Sequence, residues 1–204
     1  MDNNSGKTLG GTLAATYAKA GWAFNYYGGP ENTGTNSGWK HLFDTTLTLT
    51  PPSKVGAYIN YDYGRNNVLQ QLLFSNNSLV TWQGIAAALH IAPTSHWSFT
   101  PRFEWFDDPD GFAMQGANIY SNGDPVEQQV KEITGTIEYK FLEGLMWRGE
   151  YRYDWSNRPF FTRGAECSNT SPFPCVPGFG AGLGNTNHQQ TLTFAIVGYF
   201  GPKR

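Results

Sequence analysis

The chain has 204 residues and a mass of 22.7 kDa, enough for one or two ordinary domains. Charged residues are 15% of it, against a usual share of about 25%. Its 24 glycines and 16% aromatics exclude a disordered tail and disfavour a helical bundle. A net charge of −2 and a pI near 6.1 leave no basic footprint for nucleic acid, so that partner class is excluded.

The longest apolar run, Ile85 to Leu89, is far short of the roughly 18 residues that a spanning helix needs. A spanning strand needs only about 9 to 11 residues, with every second one apolar. Met1 is followed by a polar stretch without the apolar segment of a secretory signal. The expectation is therefore that a signal was removed or that Met1 is not the natural start.

In chain order, period-two alternation predicts nine strands. The first two lie near Leu9 to Tyr17 and Trp22 to Tyr26, with less clean alternation. From Phe43 to Thr50, Phe43, Leu47 and Leu49 oppose Asp44, Thr46, Thr48 and Thr50. From Val55 to Tyr63, Val55, Ala57, Ile59, Tyr61 and Tyr63 oppose Gly56, Tyr58, Asn60 and Asp62. Leu79 to Ile91 follows, and then Trp97 to Phe106, where Trp97, Phe99, Phe103 and Trp105 oppose Ser98, Thr100, Arg102 and Glu104. Glu132 to Phe141 sets Ile133, Ile137, Tyr139 and Phe141 against Glu132, Thr134, Thr136, Glu138 and Lys140. Leu145 to Trp155 sets Trp147, Tyr151, Tyr153 and Trp155 against Arg148, Glu150, Arg152 and Asp154. Thr191 to Phe200 closes the series.

The connections alternate between short and long. Ala18 to Gly21, Pro51 to Ser53, Pro93 to His96 and Leu142 to Gly144 are short; Gly28 to Gly38, Arg65 to Ser78, Asp107 to Val126 and Ser156 to Asn187 are long. Short turns at one end and long loops at the other are the plan of an outer-membrane barrel. Strands of about 11 residues at roughly 3.3 Å each, tilted by about 40°, rise some 25 to 28 Å, which matches the apolar band of such barrels.

Aromatics gather at both strand ends: Trp39, Tyr63, Trp82, Trp105 and Trp155 near the long loops, and Trp22, Trp97, Tyr139, Trp147 and Tyr199 near the short turns. The expected fold is an all-β, antiparallel transmembrane β-barrel forming a single domain over 1–204. A soluble sandwich or barrel that binds carbohydrate or lipid is the competing reading, since it explains the alternation equally well by burying the apolar face.

If the apolar face meets lipid, the other face lines a lumen. The candidate pore-lining residues are Asp44, Asp62, Arg102, Glu104, Glu132, Glu138, Lys140, Arg148, Glu150, Arg152 and Asp154, a mildly negative set. A three-residue turn at Leu142 to Gly144 places Glu138 opposite Arg148. Cys167 and Cys175, in the long loop 156–187, read as a local disulfide formed in an oxidising compartment.

Walking back from a periplasmic C-terminal strand makes the first strand run downward from outside. Barrels normally begin in the periplasm and have an even strand number. The expectation is a C-terminal part of a larger barrel that lacks at least one N-terminal strand, with an odd barrel closed by a parallel pair as the alternative.

Other chemistries find little support. Asp107-Asp-Pro-Asp-Gly111 lacks the spacing of a full calcium loop and reads as a turn. Gly178 to Gly184 is not followed by a helix pattern and reads as loop rather than a dinucleotide fingerprint. No Gly-x-Ser-x-Gly elbow is present, and the four histidines are scattered. No metal, cofactor or enzymatic activity is expected.

Two stretches, Arg102-Phe-Glu-Trp-Phe-Asp-Asp-Pro-Asp-Gly-Phe112 and Trp147-Arg-Gly-Glu-Tyr-Arg-Tyr-Asp-Trp-Ser156, together with Glu132-Ile-Thr-Gly-Thr-Ile-Glu-Tyr-Lys140, resemble the OmpL-like β-barrel porins of Gram-negative-type bacteria. The resemblance runs from about Trp39 to Phe200. It implies an outer-membrane pore for small hydrophilic solutes or ions, with outer-membrane lipid as its surroundings. Association into a homo-oligomer is compatible with it.

Overall fold

The computed structural model describes residues 4–50, 54–68, 78–114, 127–161 and 186–199. Cys167 and Cys175, the stretch Gly178 to Gly184 and the turn Pro51 to Ser53 lie outside the described residues. All nine expected strands form: β1 (Leu9–Tyr17), β2 (Ala20–Pro30), β3 (Trp39–Leu49), β4 (Val55–Val68), β5 (Ser78–Ile91), β6 (Trp97–Asp108), β7 (Gln128–Leu142), β8 (Leu145–Ser156) and β9 (His188–Gly198). They make one sheet in sequence order, with every neighbouring pair antiparallel. The sheet is not closed, because β1 and β9 make no contact.

The connections keep the expected sidedness. Links of two, five, five and two residues join β1–β2, β3–β4, β5–β6 and β7–β8 at one end; links of eight, nine, nineteen and thirty-one residues lie at the other. Ala18 turns the first hairpin with φ 51°, in the left-handed region. The link from β7 to β8 is tighter than the expected three residues. Leu142 pairs with Leu145 around Glu143 and Gly144, and the extra residue is absorbed as a bulge between Lys140 and Leu142. Gly144 is required there twice over: its φ is +84°, and a Cβ would sit 2.9 Å from the Tyr199 carbonyl oxygen. The Tyr199 amide in turn donates to the Gly144 carbonyl at 2.7 Å.

Most strands run further toward the long loops than the alternation predicts. β2 continues to Pro30, β4 to Val68, and β7 starts at Gln128. In these extensions the positions continuing the apolar face carry His41, Arg65 and Gln129, so the ladder persists where the greasy pattern has stopped.

The two faces are inverted relative to a soluble protein. Ile133 is 48% exposed, whereas its neighbour Glu132 is 3% exposed. Phe99, Phe103, Ile137, Tyr151, Leu192 and Phe194 are likewise exposed, while Ser98, Thr134, Asp154 and Ser156 on the opposite face are buried. Only Val68, Val80 and Phe161 are buried hydrophobics among the described residues, and all three lie at the long-loop end. A sandwich would bury its apolar face against a second layer. Here no second layer covers it.

One ladder is interrupted. Pro101 has no N–H to donate, and the β5–β6 pairing skips from Ala88–Arg102 to Ile91–Phe99 while β6–β7 runs unbroken through Pro101–Gly135. A hydrogen bond between His90 Nδ1 and Thr100 Oγ1, 3.0 Å, ties the two strands across the gap.

Candidate functional site

Antiparallel register places directly opposed residues on the same face, so the cross-strand pairs sort the polar face into rows. Of the rows that hold candidate residues, the one nearest the long loops has Asn25, Asp44 and Asp62 side by side on β2, β3 and β4. The next row holds Thr46, Asn60, Ala86, Glu104, Glu132, Asp154 and Gln189. Below it come Tyr58, Ala88, Arg102, Thr134, Arg152 and Thr191. Toward the short turns follow Thr136 with Glu150, then Ser98, Glu138 and Arg148, then Lys140 with Met146. All eleven candidate residues therefore share one face.

Within that face they fall into two arrangements. The first is a charge network centred on Glu132. Arg102 Nη2 donates to Glu132 Oε1 at 2.7 Å, and Arg152 Nη2 lies 2.9 Å from Glu132 Oε2. Arg102 Nε also approaches Glu104 at 3.2 Å, and Arg152 pairs with the buried Asp154 at 2.7 Å. Thr134 donates its hydroxyl to Glu132, and Gln189 Nε2 donates to Asp154 at 2.9 Å. A buried carboxylate is tolerable only with such partners, and both have them.

The second arrangement is Asp44 facing Asp62. Like charges directly opposed repel. Asp44 takes hydrogen bonds from the Asn25 and Asn60 amides, and no cation pairs with either carboxylate among the described residues. Nearer the short turns, Glu138 accepts Arg148 Nε at 2.8 Å and Ser98 Oγ at 2.8 Å, the pairing expected from the turn, while Thr136 Oγ1 donates to Glu150 at 2.8 Å. Lys140 and His96 border an open cavity of about 460 Å³ at the short-turn end.

The small side chains of β5 shape the wall. Gly84 and Ala86 leave a hollow of about 330 Å³ bordered by Asn60, Asp62, Glu104, Glu132 and Arg152. Charge along the wall is uneven. Of the eleven candidates, the long-loop half, down to the arginine row, carries Asp44, Asp62, Glu104, Glu132 and Asp154 against Arg102 and Arg152, with Lys40 and Asp108 further out on the same face; the short-turn half balances Glu138 and Glu150 against Arg148 and Lys140.

Two features escape a reading by composition and alternation. Asn25, Asn60 and Gln189 hold carboxylates on neighbouring strands, and only register shows that. Trp82, expected in the loop-side aromatic belt, faces the polar side instead. It lies opposite Gly64, where a Cβ would fall 2.0 Å from its ring, with Lys40 Nζ 5.3 Å above the indole and Phe112 stacked at 5.7 Å. The acidic turn, by contrast, is a turn as expected. Asp108 accepts the Phe112 and Met114 amides at 2.9 and 2.8 Å, and Asp110 accepts the Thr81 amide at 2.7 Å.

An antiparallel sheet with an exposed apolar face, a charged opposite face, short turns at one end and long loops at the other is consistent with a β-barrel fold, although the sheet is not closed. Residues 1–200, nearly the whole chain, match the family described as "putative beta-barrel porin-2, OmpL-like", and the chain belongs to that family. No curated protein and no solved structure matches the chain.

Proposed function

We propose that this wall belongs to an outer-membrane pore through which small hydrophilic solutes or ions diffuse passively, with no covalent step. The observation that carries the reading is the inversion of faces: Ile133 and Phe103 outward and exposed, Glu132 and Asp154 inward and paired. Hydrocarbon accepts the first face and excludes the second. The eleven charged residues then line the lumen. Outer-membrane lipid covers the other side.

Selectivity follows from the uneven charge. The Arg102 and Arg152 guanidiniums are engaged by the Glu132 network, so the Asp44–Asp62 pair presents the least compensated charge to passing ions. The pore therefore prefers cations, most strongly at low salt, where screening is weakest. Planar-bilayer conductance tests this. The protein gives stepwise ion currents with a cation-selective reversal potential in a salt gradient, and Asp44→Asn with Asp62→Asn lowers the cation-to-anion permeability ratio about fivefold at low salt, since one unit charge at 4 Å in water is worth about 1 kcal/mol. Absence of any ion-permeable step contradicts the pore, and an anion-selective potential contradicts the charge argument.

A further inference from the structure

By register, the outward positions of the described strands carry three formal charges, Arg65, Asp107 and Lys131. All three lie near the long-loop end, and the short-turn half of that face carries none. Lys131 stands directly between two indoles, Trp105 on β6 and Trp155 on β8. It makes no ion pair among the described residues, and Asp107, one row nearer the loops, accepts Gln83 Nε2 at 3.2 Å instead.

The height of Lys131 is set by the strand. Leu142, which ends β7, lies eleven residues below it. At roughly 3.3 Å per residue and a tilt of about 40°, Lys131 stands some 28 Å above that turn, at the far edge of an apolar band about 25 Å tall. Trp155, ten residues above Leu145, shares the level. A lysine facing lipid there reaches the headgroups with its ammonium, and an anionic headgroup stabilises it.

Beneath Lys131 the outward face is hollowed. A cavity of about 630 Å³ opens there, floored by Ala57, Ala87, Pro101 and Gly135 and walled by Phe103 and Ile133. Register accounts for the hollow. Phe103 and Ile133 oppose each other one row below Trp105 and Lys131, and Pro101 opposes Gly135 one row further down. Small side chains on four neighbouring strands, β4 to β7, leave the space between them. A Cβ on Gly135 would meet nothing nearer than the Phe99 ring at 3.8 Å.

A cation at headgroup height over an apolar groove fits an amphiphile with a negative head and a hydrocarbon tail. We propose that this part of the outward face, from β4 to β8, is a docking site for a phosphate-bearing lipid. Its phosphate sits on the Lys131 ammonium between Trp105 and Trp155, and one acyl chain lies in the groove over Pro101 and Gly135. The inference rests on the membrane wall proposed above, because both features meet lipid only if that reading holds.

Photo-cross-linking tests the site in the 204-residue chain folded in phosphatidylcholine vesicles. The probes are phosphatidic acid and phosphatidylcholine carrying the same diazirine-bearing tail, with adducts mapped by mass spectrometry and sheet content checked in each variant by circular dichroism. The expected result is adducts concentrated at Ala87, Phe103 and Ile133, about fivefold more from phosphatidic acid, the preference that one basic residue at a lipid surface supplies. Lys131→Gln abolishes the preference and Lys131→Arg keeps it. Arg65→Gln removes a cation near the same end but away from the groove, and leaves the preference intact. Gly135→Phe and, from β5, Ala87→Phe fill the groove and displace the tail adducts. Equal labelling by the two lipids, equal losses for Lys131→Gln and Arg65→Gln, or adducts that ignore both groove-filling variants would overturn the site and leave the wall standing. Adducts from neither lipid at any outward position would remove the wall and the site together.

Discussion

Glu132 is the residue on which most of the inner wall converges. It takes Arg102 from β6, Arg152 from β8 and the hydroxyl of Thr134 two positions along its own strand, so three neighbouring strands are fixed through one carboxylate. Removing it leaves two guanidiniums without their shared partner, and Glu132→Ala is expected to destabilise by roughly 3 kcal/mol. Urea unfolding in detergent or vesicles measures this. Glu104, 40% exposed and paired only along the face of Arg102, is the control. Glu104→Ala is expected to cost less than about 1 kcal/mol. If the two substitutions cost the same, the network is not organised around Glu132. The charges of this wall were legible in the sequence because alternation alone assigns a face to each. Their partners were not, because Asn25 and Gln189 reach carboxylates 19 and 35 positions away, and spacing along the chain carries no trace of such a contact.

At the scale of the strand and the turn, the alternation must do opposite work on its two sides. Phe103 and Arg102 are neighbours on β6, one facing out and the other in. A charge at the outward position in mid-membrane is expected to cost about 2 to 4 kcal/mol, so Phe103→Lys should be strongly destabilising. Thr193→Lys, inward on β9 and opposite Glu150, should be nearly neutral. Equal costs would mean that both faces meet the same medium.

The turns make a separate demand. Gly144→Ala places a side chain at φ +84° against the Tyr199 carbonyl and is expected to cost about 1 to 2 kcal/mol in the same unfolding assay. Strand existence was read correctly from the sequence throughout. Strand ends were not, because the ladder outlasts the apolar pattern: Arg65 on β4 and Gln129 on β7 look like loop residues and are paired in the sheet. Trp82 was assigned to the right level but the wrong face for a similar reason. β5 is mostly small residues, Gly84 to Ala88, so its alternation is too weak to show which way its one tryptophan points.

For the whole molecule, the question is which medium each face of the sheet touches. Sequence periodicity could not decide it, since a sandwich and a barrel wall share the same alternation. Exposure supports the proposed wall: the large apolar side chains lie on the uncovered face, and the carboxylates and guanidiniums pair with one another on the other. Nine strands in antiparallel order, turns at one end and loops at the other, fit the β-barrel porin family to which the chain belongs.

Nitroxide labels at Phe103→Cys, Ile133→Cys and Phe194→Cys, compared with labels at Thr191→Cys and Thr193→Cys, test this most directly in vesicles. The account predicts that the first three collide with lipid-soluble oxygen and are shielded from a water-soluble nickel chelate, and that the last two show the reverse. Labels on Phe103, Ile133 and Phe194 that are shielded from both reagents, or reached by nickel, would contradict it.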